Sequence, residues 1–210
     1  MGNKPETQDN KGRSEMSDKK CYRRDFLALT LAGPAAGFRM LRAAAAQEAG
    51  QVIEIEMLRN YSMGRYYYDP IGLFLRPGQI VRWNARREGF SVTAYHPDNN
   101  NRELRIPVGA TPFDSGIIFQ NDAFEWTFEV EGTYDYCSLR HESIGMVGRI
   151  VVGSPGGPGE QVPGYGSREG RAPVYKEAIR AFEMAPSEEI VKAKSLPYPI
   201  KELRRSFPLY

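Results

Sequence analysis

Within the ten residues Cys137-Ser-Leu-Arg-His141-Glu-Ser-Ile-Gly-Met146 the chain sets a thiol, an imidazole and a thioether in the spacing C-x3-H-x4-M. A soft thiolate, imidazole nitrogen and a weak axial thioether are the donors of an electron-transfer copper, once a second imidazole completes the set. The sequence holds two histidines, so only His96 can supply it. Singly, a lone Cys or Met is most often a packed core residue. Jointly, both histidines, a loop Met and a Cys in one ligand pattern point to a metal, and the thioether favours copper over zinc, whose structural sites use Cys and His.

Short strands must position these donors. Gln51 to Met57 alternates, with Ile53, Ile55 and Met57 on one side and Glu54 and Glu56 on the other. Gln79 to Asn84 follows the Pro77-Gly78 turn, and Phe90 to Tyr95 delivers His96 at its end. Ala123 to Val130 alternates Phe124, Trp126, Phe128 and Val130 with polar residues, and Tyr134 to Ser138 and Gly148 to Val152 flank the loop. Tyr61 to Pro70 reads as a tyrosine-rich connection and Arg105 to Ser115 as irregular chain. The pattern predicts an all-β, antiparallel Greek-key sandwich. Tyr134 and Tyr136 share a parity that Cys137 does not, so either a bulge near Tyr136 rephases the strand or the tyrosines lie on the outer face.

Tyr136-Cys-Ser-Leu-Arg-His-Glu-Ser-Ile-Gly-Met-Val-Gly-Arg-Ile-Val-Val152 resembles the copper loop of the cupredoxins, in particular the plastocyanin, pseudoazurin and halocyanin group; upstream, Val81-Arg-Trp83 and Ser91-Val-Thr-Ala-Tyr-His96 resemble the strands before it. The likeness spans roughly residues 51–153. It implies one mononuclear type 1 copper held by His96, Cys137, His141 and axial Met146, with Ser138 and a backbone N–H near Asn99 donating to the sulfur. It also implies His141 as the electron port; Ile144 and Pro97 are candidate parts of an apolar patch around it, and Arg140, Glu142 and Tyr66-Tyr67-Tyr68 are candidates for setting partner preference, with loop packing the main reading of the tyrosine run. The chain departs from the group's pattern twice. The usual loop has two residues between Cys and His, often with Pro before the His, where this chain has three and Arg140; and the Asn that commonly follows the first ligand and ties the two ligand loops together is here Pro97.

Residues 1–46 read as an export signal: Tyr22-Arg-Arg-Asp-Phe-Leu-Ala28 resembles a twin-arginine motif, an apolar stretch follows to Phe38, and Ala43 to Ala46 suit cleavage. That stretch is shorter than the ~20 residues of a membrane span, so no stable span is expected after cleavage, and the destination is the periplasm or another exported site. Cys21 leaves with the signal, and Cys137 then has no disulfide partner. Nine of the 28 basic and five of the 26 acidic residues lie in the signal, leaving 19 and 21. Residues 47–153 carry ten Arg, no Lys and 14 acids, which is not a nucleic-acid footprint.

The domain organisation expected is signal 1–46, copper domain 47–153, a flexible Gly/Pro-rich linker 154–172 and a helical extension 173–210, with helices over Pro173 to Met184 and from Pro186-Ser187. With both histidines assigned, none is left for a catalytic copper or a Ser-His-Asp set, so an enzyme is not expected. The functional expectation is single-electron transfer between redox proteins by Cu(II)/Cu(I) cycling. The alternative is a copper carrier or buffer outside the cytoplasm; a metal-free interaction module is a third class.

Overall fold

The computed structural model describes residues 50–87, 89–100, 102–165 and 174–200; the signal segment and Cys21 lie outside them. Among the described residues nine strands form two sheets: β1 (Val52–Asn60), β2 (Arg65–Asp69), β3 (Gly72–Leu75), β4 (Gln79–Ala85), β5 (Thr93–Ala94), β6 (Ala123–Phe128), β7 (Gly132–Cys137), β8 (Val147–Val152) and β9 (Ser195–Leu196). Their orders are β2-β1-β4-β6 and β5-β7-β8-β3-β9. The sandwich is mixed rather than purely antiparallel, since β1 pairs parallel to β4 and β3 parallel to β8. Alternation reports which face a side chain takes, and β1 and β4 alternate in burial although they pair parallel. The tyrosine-rich connection is in fact β2, antiparallel to β1.

The core lies between the sheets, where Ile55, Met57, Val81, Trp83 and Phe128 meet Leu73, Leu75, Tyr134, Tyr136 and Ile150, all buried. Tyr136 lies over Gly148 of the neighbouring strand, where any Cβ would come within 2.3 Å of its ring and hydroxyl. A second apolar layer covers the outer face of the five-stranded sheet. There Ile71, Cys137, Val147 and Val151 pack against Val174, Ala178, Phe182, Ile190 and Tyr198.

That layer is built by the C-terminal segment. α1 (Lys176–Glu183) buries Ala178, Ala181 and Phe182 at helical spacing, and α2 (Ser187–Ala193) begins after Pro186 with Glu188 and Glu189 in its first turn, where the helix dipole favours acids. β9 then pairs with β3 and covers that edge of the sheet. Residues 154–165, expected to be flexible, are held against the sandwich: Gly159 is buried on Thr133, and the Gly159 and Gln161 carbonyls accept from Arg105 at 3.0 Å. Arg105 and Arg149 share the buried Asp135 carboxylate, at 2.8 and 2.7 Å, and the Phe182 ring lies over both guanidiniums.

Candidate functional site

β7 and β8 pair in unbroken register from Gly132↔Val152 to Cys137↔Val147. With no bulge, side chains alternate strictly across the sheet. Tyr134 and Tyr136 enter the inner core, and Cys137 enters the outer layer. The parity conflict is therefore resolved in neither of the two expected ways: the tyrosines point in, the cysteine points out, and the strand stays regular. The outer face that receives the cysteine is buried because the C-terminal segment covers it.

Beyond β7 the loop closes on itself. The Ser138 N–H donates to the Met146 carbonyl at 3.1 Å, the Met146 N–H to the His141 carbonyl at 3.0 Å, and the His141 N–H to the Ser138 carbonyl at 2.8 Å. Glu142–Ile144 form one 3-10 turn, ended by Gly145 at φ 91°, a left-handed conformation that glycine adopts at little cost.

The four expected ligands are not brought together. Cys137 lies in the outer layer with Tyr95 and Val147, whereas Met146 is buried in the inner core with Phe90 and Tyr136. Burial pushes the Cys137 thiol well above its ordinary range, the nearby Glu142 carboxylate adds to this, and Arg102 and Tyr95 oppose it. His96 is carried away from the loop. Thr93 pairs with Cys137, Ala94 with Tyr136, and the Tyr95 N–H donates to the Asp135 carbonyl, so β5 runs down β7 away from its loop end. Three residues at about 3.3 Å each put His96 roughly 10 Å along the sheet. Its Nδ1 accepts from the Asp98 N–H at 3.1 Å and lies 3.5 Å from the Asp98 carboxylate.

Other residues occupy the places that the resemblance assigns to ligands. Two residues separate Ser138 from His141, the usual spacing from thiolate to imidazole, and Ser138 continues the inward row of Tyr134 and Tyr136. Its Oγ lies 3.2 Å from His141 Nδ1 and accepts from the Ser91 N–H at 3.2 Å. Ser91 Oγ in turn accepts from the Leu139 N–H at 2.9 Å, and the Tyr68 hydroxyl donates to the Ser91 carbonyl at 2.6 Å. Ser91 therefore makes the tie between ligand loops that the resemblance assigns to the residue after the first ligand. The residue before it is Phe90, whose ring meets the His141 ring edge-on with centroids 5.6 Å apart.

A type 1 copper does not fit this donor set. Phe90 offers no donor atom, and Ser138 offers a neutral hydroxyl where a soft thiolate is required. His141 and Met146 remain in place as two of four. Among the described residues, no group of three or more His, Cys, Asp and Glu side chains is arranged to hold a metal ion. The second-sphere assignments change as well: the donor to Ser138 is Ser91, while Asn99 braces its own loop by donating to the Ala94 and Phe113 carbonyls at 3.0 Å.

The surroundings of His141 also differ from expectation. Glu142 is fully buried, takes a hydrogen bond from the Tyr95 hydroxyl at 2.7 Å and pairs with Arg102, so it is not part of a docking surface. Tyr68 is buried in the inner core, and Tyr67 stacks on Tyr198 of the C-terminal segment. Only Tyr66 of the three reaches His141, stacking on it at 4.1 Å. Burial, then Arg140 and Arg59, lower the affinity of the His141 imidazole for a proton. An open cleft beside it is lined by Arg59, Arg87, Arg140, Tyr61 and Phe119. Sequence reading missed this cleft because its walls come from β1, the β4–β5 connection and the segment before β6. The Ile118 N–H donates to the Phe90 carbonyl at 2.7 Å, and the bridge leaves Ile117 and Phe119 exposed on either side.

Neither a protein-family model nor a curated protein sequence matches the chain. Among solved structures, it is similar to a pseudoazurin from Sinorhizobium, with 21% identity over 69% of this chain and 98% of that one and a TM-score of 0.52. A pseudoazurin from Hyphomicrobium denitrificans aligns at 19% identity over 67% of this chain and 97% of that one, TM-score 0.46. A purple cupredoxin from Nitrosopumilus maritimus aligns at 23% over 48% and 98%, TM-score 0.36.

Proposed function

We propose, on the premise of the cupredoxin fold, that this chain is a recognition protein working through the His141 end of the sandwich without a type 1 copper. The observation that carries the reading is the pair Phe90 and Ser138, tied by Ser91 into the hydrogen-bond frame of a ligand site while supplying neither imidazole nor thiolate. The expectation of a single-electron carrier rests on the donor set His96, Cys137, His141 and Met146; it needs a sulfur donor at the site, and Cys137 packs on the opposite face of the sheet. In this reading the scaffold keeps what the fold provides for any ligand: a rigid sandwich with loops clustered at one end. Export by the twin-arginine route belongs to the same proposal, supported by Arg23-Arg24 and the apolar stretch after them; such a chain would cross the membrane already folded.

The mechanism is positional. Tyr66 on one side and Phe90 on another hold the His141 ring, and Ser138 holds its Nδ1. The ring is thereby fixed as one wall of the cleft. A second reading, a copper carrier, draws on His141 and Met146, which keep their places on one loop. Titration of the full chain with Cu(II), followed by optical absorption, tests the first reading, and calorimetric titration with Cu(I) tests the second. The proposal predicts no intense thiolate-to-copper band in the red; such a band in the wild-type chain overturns it. Tight, colourless binding of Cu(I), lost on Met146→Leu, favours the carrier.

A further inference from the structure

Residues 47–153 carry 14 acids against ten arginines, yet three of those arginines converge on one cleft. Arg59, Arg87 and Arg140 line the opening of about 700 Å³ beside His141, and among the described residues no carboxylate lines it. Among the described residues none of the three makes an ion pair, whereas Arg65, Arg82, Arg86, Arg102, Arg105 and Arg149 each have one. Aromatic rings hold two of them in place: the Arg59 guanidinium lies 4.2 Å from the Tyr61 ring centre and 4.9 Å from that of Tyr66, and Arg87 lies 5.7 Å from Tyr61. A guanidinium stacked on a ring still presents its edge N–H groups, which match carboxylate and phosphate oxygens in pairs.

The cleft also has an apolar wall. Tyr61, Ile117 and Phe119 are 60, 49 and 64% exposed and all face it. A volume of several hundred Å³ with apolar walls and a few converging polar groups is the form of a small-molecule site. A bulk salt ion would use the arginines and leave the wall bare. A neutral apolar molecule would use the wall and leave three cations without a partner.

We propose that this cleft binds a small organic anion, a carboxylate or phosphate ester on an apolar, planar body, with Arg59, Arg87 and Arg140 on the anionic group and Tyr61, Ile117 and Phe119 on the body. The inference rests on the metal-free reading of the His141 end and gives that reading its ligand class. Tyr66 and His141, stacked on each other, line the cleft beside these groups.

The test is calorimetric titration of the full chain with four probes: 1-naphthyl phosphate, 1-naphthoate, 1-naphthol and inorganic phosphate. The expected result is saturable binding of one or both naphthyl anions, at least tenfold tighter than naphthol or inorganic phosphate; the stronger of the two identifies the anionic group. Arg140→Gln, an exposed position, should weaken that binding at least fivefold, and Arg59→Gln with Arg140→Gln at least thirtyfold, while Arg180→Gln on α1 leaves it unchanged. Thermal unfolding of each variant checks that the fold persists. Failure of both naphthyl anions to bind, equal binding of naphthol, or binding indifferent to the arginine substitutions overturns the proposal. The copper titration is read separately: a thiolate-to-copper band overturns the metal-free reading whatever the anions do, and no band with no anion binding overturns the cleft alone.

Discussion

Cys137 and Ser138 are consecutive residues in opposite environments. Cys137 ends the outward row of β7, which also carries Thr133 and Asp135, and it is sealed beneath the C-terminal segment beside Tyr95 and Val147. Ser138 continues the inward row of Tyr134 and Tyr136 and comes within hydrogen-bonding distance of His141 at the open end of the sandwich. The more reactive side chain is sealed in the outer layer, and the less reactive one, itself buried, stands against His141. A strand has a side-chain period of two, so moving a sulfur by one position along the chain moves it through the sheet. Distance along the sequence is thus a poor measure of whether donors can meet.

The outer row should act on stability alone. Asp135 neutralises two buried guanidiniums, those of Arg105 and Arg149, which also hold the Gly159 carbonyl. Asp135→Ala leaves Arg149 buried without its carboxylate and Arg105 with only Glu103, at 3.8 Å, and is expected to cost about 3–5 kcal/mol, read by chemical denaturation. It should also make residues 154–200 susceptible to limited proteolysis. A variant of unchanged stability would mean that the network does not anchor the C-terminal segment. Cys137→Ser comes next. Placing a hydroxyl in that apolar layer should cost roughly 1–3 kcal/mol, and the native thiol should resist alkylation until the chain unfolds. Rapid alkylation of the folded protein would place Cys137 on the open side and erase the contrast between the rows.

The sequence already carried much of the sandwich, because β1, β4 and β6 alternate in burial, while β7 and β8, buried along their whole length, stand out as short runs bounded by turn residues. The C-terminal helices were legible in Ala178, Ala181 and Phe182 and in the acids after Pro186. Pairing direction was not legible, nor was β2, whose arginine and run of tyrosines obscure any alternation; Tyr66 faces His141, Tyr67 faces Tyr198, and Tyr68 enters the core. The site was misread for a different reason. Donor types and rough spacing were weighed, and the two signals that contradicted them were present: the parity of Cys137 against Tyr134 and Tyr136, and the three residues before His141 where two are usual. Leaving the usual two residues before His141 reaches Ser138. Phe90 could not be found that way, since only the folded loop shows Ser91 tying to Ser138 and Leu139. The arginine cleft had no sequence signal, because Arg59, Arg87 and Arg140 lie far apart in the chain.

The central claim is that Phe90 and Ser138, not His96 and Cys137, stand at the ligand positions of this fold. Its most direct measurement is the Cu(II) optical spectrum of the Phe90→His, Ser138→Cys double variant beside that of the same variant carrying Cys137→Ser. The account predicts an intense thiolate-to-copper band in the double variant, retained when Cys137 is removed and absent from the wild-type chain. A band in the wild-type chain that disappears on Cys137→Ser would contradict it.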